Sequence, residues 1–504
     1  MATPSEKLAD SLAVLKELQD QGIVAIRSRD LSRTHRERLV RTGFLQNVIK
    51  GWYIPSRPDE KSGDSTSWYA SFWTFCASYL ESRFEQDWCL SPEQSLSIHT
   101  GNKTVPRQLL VRTKEGTNNV TNLPHGTSLL DIRLDLPDKN DTYVIDGLRL
   151  FSLPAALIAS SPTSYRQNPT DIRAALTMIG DASDLLGRLL DGGHSTIAGR
   201  LAGAFRNIGR DDVAENITGS MTAAGYTVRE SDPFEAASPL TFNKRESSPY
   251  VSRIRLMWSQ MRDEVLNDFP AAPGLTTDKA AYLKEIDDLY TSDAYHSLSI
   301  EGYRVSTELI ERVKSGTWNP DNDDGDRDHR DAMAARGYWQ AFQAVKQSIK
   351  EILDGANPGQ TVRRDHANWY RELWAPSVTA GILRPGDLAG YRNGPIYIRR
   401  SMHAPPSMEA VRDLMPALFD LLQQEDDPSA RVVLGHFFFV FIHPYMDGNG
   451  RIGRFLMNAM MAAGGYRWTI IPIERREEYM TALESASVDQ DIRPFTRYLA
   501  ELVR

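Results

Sequence analysis

Cysteine is nearly missing from this 504-residue chain, which has only Cys76 and Cys89. A disulfide framework is thereby excluded as the source of its stability, and such sparse usage fits free thiols in a reducing compartment, the cytoplasm by default. Long apolar runs are missing too. The longest uninterrupted one, Phe437 to Ile442, lies between His436 and His443 and falls far short of the roughly 20 residues that span a bilayer. No membrane segment is expected. The first dozen residues carry Glu6, Lys7 and Asp10 without an apolar core, unlike a secretory signal. Excess positive charge is also lacking, and a net charge of −8 argues against nonspecific nucleic-acid binding by the whole molecule.

The composition that remains, 41% hydrophobic and 25% charged, is that of a chain able to bury cores throughout. Its length, against a typical domain of roughly 150 residues, calls for about three folding units. Charge is unevenly spread. From Arg27 to Arg57 there are eight Lys or Arg and two acids, a local basic block that needs its own explanation.

Periodicity organises the N-terminal half. Leu8, Leu12, Leu15 and Leu18 predict a helix from Glu6 to Asp20, Leu31, Leu39 and Val40 a second one between Arg29 and Gly43, and Phe44 to Pro55 a short hairpin around Gly51. Helices followed by a hairpin suggest a winged helix over 1–60. The order LVRTGFLQNVIKGWYIP resembles the opening module of AbiE-type antitoxins and related regulators. That resemblance makes Arg33, Arg36 and Arg38 the candidate phosphate contacts to DNA; the alternative is a solvated basic face on a small packing module. Residues 61–230 read as mixed α+β, with an aromatic helix from Trp68 to Tyr79, strands at Leu109–Val111, Tyr143–Ile145 and Leu148–Phe151, and a helical tract behind them. Two segments, SPEQSLSIHTG (91–101) and LFSLPAALI (150–158), are similar to the second part of the same antitoxins. His99 stands alone there and reads as a hydrogen-bonded structural residue. Pro, Ser and charge without periodicity over 231–249 predict an exposed linker.

From 250 to 504 the pattern is dominantly helical, with Val251, Ile254, Met257, Met261 and Val265 on one face. The acidic stretch DNDDGDRDHRD (321–331) has Gly325 at the sharp-turn position of a calcium loop, but Pro320 then occupies the first ligand position, so a solvated loop is the better reading. The informative segment is HPYMDGNGRIGR, 443–454. It follows Val432 to Ile442, apolar enough to be a buried central helix. Pro444 favours leaving that helix, and Gly448, Asn449 and Gly450 suit a tight loop. A second helix then starts with small residues, whose free N–H groups make an anion site. Arg451 and Arg454, three apart, can bracket further phosphates. Asp447 offers a hard oxygen for Mg2+ (or Mn2+), and His443 could accept a proton at neutral pH.

Taken singly, each residue reads as an ordinary cap, turn or surface charge. In this order they resemble the Fic family signature, with Tyr445 where phenylalanine is usual. The resemblance implies an all-α catalytic domain with a β-hairpin flap. It implies a protein adenylyltransferase in which His443 deprotonates a Ser, Thr or Tyr hydroxyl of a target protein, which attacks the α-phosphate of ATP. Asp447 would hold the metal, Gly448, Asn449, Gly450 and Arg451 the phosphates, and Arg454 the γ-phosphate. Asn458 and Tyr479 would face the nucleotide. AGYRNGPIYIRR (389–400) reads as the flap hairpin, with Asn393-Gly394 at its turn and Ile396, Tyr397 and Ile398 as an edge for the target by strand addition. SLSIEG resembles the family's inhibitory motif within a helix over 290–302: Ser297 and Glu301 share a face, Gly302 ends the helix, and Glu301 would pair with Arg454 in place of the γ-phosphate. Removal of AMP from a modified protein, and an antitoxin-like DNA-binding autoregulator with a nucleotide-sensing site, stay open beside AMP transfer. A homodimer is also left open.

Overall fold

The computed structural model describes residues 3–60, 64–242, 248–318 and 329–503. The acidic run at 321–328 lies outside them. The chain forms two compact units, Met1–Pro249 with Tyr397–Ala404, and Tyr250–Ile396 with Pro405–Arg504.

In the first unit a helix, Pro4–Asp20, starts at Thr3, whose hydroxyl accepts from the Glu6 N–H while Glu6 takes the Thr3 N–H, a reciprocal cap. Strand Ile26–Arg27, helix Arg33–Arg41 and strands Leu45–Ile49 and Trp52–Pro55 follow. The last strand is central in a three-stranded sheet. The second helix starts later than its periodicity suggests because Asp30 captures the Arg27 N–H and Ser32 caps the helix. Leu15, Ile26, Leu31, Leu39 and Leu45 make the small core.

Helix Thr66–Phe84 then lays Trp68, Phe72 and Phe75 into a larger core against a four-stranded sheet. Its two middle strands, Gln108–Thr113 and Ser128–Arg133, run parallel, flanked by Trp88–Leu90 and Val120–Asn122. A separate hairpin joins Thr142–Ile145 to Leu148–Phe151. Both cysteines are buried and free, and His99 Nε2 donates to the Phe151 carbonyl at 2.7 Å, since a carbonyl can only accept.

The stretch that reads as an exposed linker is, over 231–242, strapped onto the helical tract. Phe234 and Phe242 are buried, the Arg173 guanidinium lies 4.3 Å over the Phe234 ring, and Ser231 N–H donates to the Gly199 carbonyl. The strap passes so close to helix Ser195–Asn207 that a Cβ on Gly203 would sit 2.2 Å from the Ser231 carbonyl oxygen. Polar composition hid two aromatic anchors.

The second unit is helical around one apolar core. Helix Pro428–Ile442 is buried along most of its length and packs against helix Asn449–Gly464, where a Cβ on Gly435 would meet Leu456 at 3.0 Å and one on Gly453 would meet Val440 at 2.9 Å. Helices Lys279–Ile300, His329–Leu353 and Pro358–Thr379 surround this pair. The hairpin expected over 389–400 is not formed; these residues are turns and extended coil. Pro395 follows Asn393-Gly394 and has no N–H for a ladder. The Arg392 side chain takes the Gly394 carbonyl, while its own N–H goes to Pro444. No helix among the described residues is long and apolar enough to cross a membrane.

Candidate active site

The loop 443–448 is held at both ends. His443 caps helix Pro428–Ile442 in the left-handed region, φ 53°, unusual for a residue with a side chain. The bend is fixed by Arg392, whose Nε donates to the His443 carbonyl at 2.8 Å and whose backbone N–H donates to that of Pro444 at 2.9 Å. At the far end Asn449 closes the loop on itself: its Oδ1 accepts from Tyr445 N–H and its Nδ2 donates to the Tyr445 carbonyl, both at 2.8 Å. The Tyr445 ring stacks flat on Tyr370, centroids 3.8 Å apart. Nothing in the sequence pointed to Arg392 or Tyr370, which lie far from the loop in the chain.

The His443 tautomer follows from its bonds. Nδ1 lies 3.1 Å from the Val440 carbonyl, so Nδ1 carries the proton and Nε2 keeps a lone pair. Burial, assisted by the nearby Arg392 charge, pushes the imidazole down to about 4. The ring is a neutral acceptor at physiological pH.

Helix Asn449–Gly464 begins at Gly448, φ 84°, with no side-chain cap on its N–H groups. A Cβ on Gly448 would lie 3.1 Å from both Leu373 and Trp374. Arg451 is 1% exposed, stacked between Trp374 at 4.6 Å and Tyr303 at 5.2 Å. Its three guanidinium nitrogens have no hydrogen-bond partner among the described residues; Asp447 Oδ1 approaches at 3.6 Å. Buried donors left in this way are costly unless an anion completes them. Beside the loop lies a cavity of about 610 Å3 lined by Tyr303, Arg330, Tyr370, Trp374, Arg392 and Asp447.

Arg454 is differently placed. Its Nε donates to Ser297 Oγ at 2.7 Å, and Nη2 donates to the Ser297 carbonyl at 3.1 Å and to Glu301 Oε1 at 2.7 Å. Burial works against the charge of each partner, yet Arg454 and Arg451 hold the Glu301 carboxyl below its usual range, and Glu301 lifts the Arg454 guanidinium above its own. Glu301 ends helix Lys279–Ile300, where Gly302, φ 90°, lets Tyr303 N–H return to the Leu298 carbonyl. A Cβ on Gly450 would lie 2.4 Å from Glu301 Oε1, so the carboxylate occupies the space that this glycine leaves at the helix start.

Asp447 has a side chain 64% exposed, and its Oδ1 accepts from Gly448 N–H at 2.5 Å. No cluster of three or more metal-ligating side chains occurs among the described residues. One hard, exposed carboxylate suits a Mg2+ ion that keeps water and takes its remaining ligands from phosphate. Asn458 exchanges two bonds with the Thr469 backbone, and the Tyr479 hydroxyl lies 2.7 Å from His436 Nε2; both are buried and internally bonded. Ile396 lies in the second unit, whereas Tyr397 and Ile398 fall in the segment counted with the first. There Arg399 Nη2 pairs with buried Asp64 at 3.0 Å and Val105 N–H donates to the Met402 carbonyl. Of the N-terminal arginines, Arg36 donates to the Ser28 carbonyl, Arg38 to the Lys7 carbonyl and Ser11, and Arg33 to Glu37 on its own helix.

Residues 360–461, which include this loop and the start of the helix behind it, match the model of the Fic/DOC family. Among curated proteins, the protein adenylyltransferase fic-1 of Caenorhabditis briggsae is 34% identical over 264 residues, 51% of this chain and 48% of that one. Its counterpart in Caenorhabditis elegans is 35% identical over 123 residues, 24% of each chain. The protein adenylyltransferase Fic of Nematostella vectensis is 36% identical over 124 residues, 24% of this chain and 28% of that one. The chain thus spans from about a quarter to about half the length of these relatives. A solved fragment of Fic-1 from Caenorhabditis elegans aligns at a TM-score of 0.37 with 19% identity, covering 68% of this chain and 95% of the fragment.

Proposed function

We propose that this chain transfers AMP from ATP to a Ser, Thr or Tyr hydroxyl of a protein and that Glu301 restrains it. The observation that carries the reading is the pairing of a neutral His443, its Nδ1 engaged by the Val440 carbonyl, with buried Arg451 donors that have no hydrogen-bond partner among the described residues, at a helix start without a side-chain cap. The hydroxyl gives its proton to Nε2, its oxygen bonds to the α-phosphorus, and the bond to the departing pyrophosphate breaks. The helix N–H groups with Arg451 bind the triphosphate, and Arg454 takes the γ-phosphate once Glu301 withdraws. Asp447 would hold Mg2+ or Mn2+, which neutralises phosphate charge. Ile396 to Ile398 would offer backbone to the target. Because an ionised Glu301 close enough to His443 to influence it could also orient a water, removal of AMP is the second reading. Winged-helix contact to DNA through Arg33, Arg36 and Arg38 would require the last two to exchange internal bonds for phosphates.

The test is incubation of wild type, Glu301→Gly and His443→Ala with Mg2+ and α-labelled ATP, with and without cell lysate. Label on protein rising roughly tenfold or more in Glu301→Gly and vanishing in Glu301→Gly/His443→Ala is expected. No label from any variant refutes AMP transfer, and release of AMP from a pre-modified protein would then favour the second reading.

A further inference from the structure

Glu301 is the first residue beyond helix Lys279–Ile300, so its carboxylate is placed only as well as the last turn of that helix is held. A helix end leaves its final four carbonyls without intrahelical partners, and here each has found one. The Ser297 carbonyl accepts from Arg454 Nη2 at 3.1 Å, that of Leu298 from the Glu301 and Tyr303 N–H groups, and that of Ser299 from the Gly302 N–H at 3.0 Å. The last, on Ile300, accepts from Arg476 Nε at 3.0 Å. Two guanidiniums from elsewhere in the fold thus close this helix end, the terminus at which positive charge is favourable.

Their situations differ. Arg454 lies on helix Asn449–Gly464 and binds Glu301 itself, so an anion that captures it loosens the turn. Arg476 opens helix Arg476–Glu484, and its Nη1 faces Glu477 beside it at 3.2 Å. A second bond joins the same two segments one turn earlier: Ile473 N–H donates to His296 Nδ1 at 3.2 Å, and His296 and Ile300, four apart, share one stripe of their helix. The short turn Ile473–Arg475 that leads into Arg476 is itself anchored. Arg475 Nη2 donates to Glu501 Oε2 on helix Arg493–Val503 at 2.8 Å, and its guanidinium lies 4.6 Å over the Tyr498 ring.

We propose that Arg476 and His296 are positioning residues of the restraint: together with the Ile473 N–H they clasp the last turn of helix Lys279–Ile300 and keep Glu301 aimed at Arg454. This assignment rests on the reading of Glu301 as the restraint on AMP transfer. Arg454 is the grip that a γ-phosphate releases, whereas Arg476 and the His296 bond stay in place. Glu301 therefore remains beside the anion site and returns when the anion leaves. Without the clasp the last turn frays, as helix ends do when their carbonyls lose partners, and the carboxylate spends less time on Arg454.

Two measurements on the full chain test this. With Mg2+ and α-labelled ATP, Arg476→Ala is expected to raise labelling roughly fivefold over wild type, the shift that one lost hydrogen bond produces, and to stay below Glu301→Gly. His296→Leu, which orphans the Ile473 N–H, should act in the same direction, and no rise in either variant overturns the proposal. Added to Glu301→Gly, Arg476→Ala should change nothing, because no carboxylate is left to aim. A loss of label in that double variant would assign Arg476 to the folding of the site and overturn its role in the restraint. Separately, amide hydrogen exchange over 301–303 in the nucleotide-free protein should quicken in Arg476→Ala and keep its wild-type rate in Arg476→Lys, which retains a donor. Equal exchange in wild type and Arg476→Ala overturns the clasp. Should Glu301→Gly carry no label, the AMP-transfer reading fails while the exchange rates still decide whether the last turn is clasped.

Discussion

Two short helices in this molecule carry arginines at close spacing, and they differ in what those arginines are bonded to. On Arg33–Arg41 the guanidiniums of Arg36 and Arg38 reach back to backbone carbonyls of their own unit. On Asn449–Gly464, Arg451 is buried between two rings with no hydrogen-bond partner for its guanidinium among the described residues, and Arg454 grips a carboxylate carried by another helix. A cluster of positive charge in a sequence is therefore no measure of readiness for phosphate. Readiness lies in donors that are oriented, desolvated and either unpartnered or held by something that can leave.

The contrast is broken most strongly at the C-terminal helix. In the Glu301→Gly background, Arg451→Ala or Arg454→Ala should lower AMP transfer by on the order of 100-fold, read as incorporation of labelled nucleotide; retention of most of the rate would make these arginines as structural as the N-terminal ones. Gly450→Ala should separate removal of the brake from construction of the seat. Its methyl displaces the Glu301 carboxylate but fills the same space, so labelling should stay at the wild-type level instead of rising as in Glu301→Gly.

Acidity sharpens the comparison further. His443, the proposed base, has a folded-state value of about 4, below the ordinary value near 6.5. Transfer by Glu301→Gly should hold as pH falls through 6.5 and decline only toward 4, whereas an unperturbed histidine would lose it near 6.5. His366 and His436 are also pushed down to about 4, chiefly by burial. The unfolded chain therefore binds protons first, and thermal stability of the second unit should drop over the same interval. Circular dichroism at each pH separates the two effects. Smallest of all, Arg38→Ala should cost about 1 kcal/mol in denaturant unfolding through its lost bonds to Lys7 and Ser11, and Arg33→Ala should leave the unfolding midpoint nearly unchanged. An equal and larger loss of DNA retention in both would instead restore the basic helix as a nucleic-acid surface.

Much of the loop was legible because its residues are neighbours in the chain. The apolar run before His443, the glycines and the three-residue spacing of the arginines together imply a helix, a tight loop and an anion-ready helix start. Ser297 and Glu301 were legible by the same local logic. Arg392 and Tyr370 were not, because each acts through a contact that only the tertiary fold creates. At Asn393-Gly394 a true local turn signal was overruled by the missing N–H of Pro395. In 231–242 composition argued for exposure while Phe234 and Phe242 carried the opposite message. Parallel pairing of Gln108–Thr113 with Ser128–Arg133 left no mark that periodicity could register, since pairing partners are not encoded in the period of either strand.

The chain enters its first unit twice, the second time for the eight residues Tyr397–Ala404. A fragment beginning at Tyr250 would therefore be an excision with a loose thread: Arg399 would lose its carboxylate on Asp64, and the Met402 carbonyl would lose the Val105 N–H. For anyone dissecting this protein, the practical unit of expression is the whole chain, and a shortened version would report on a segment deprived of its template.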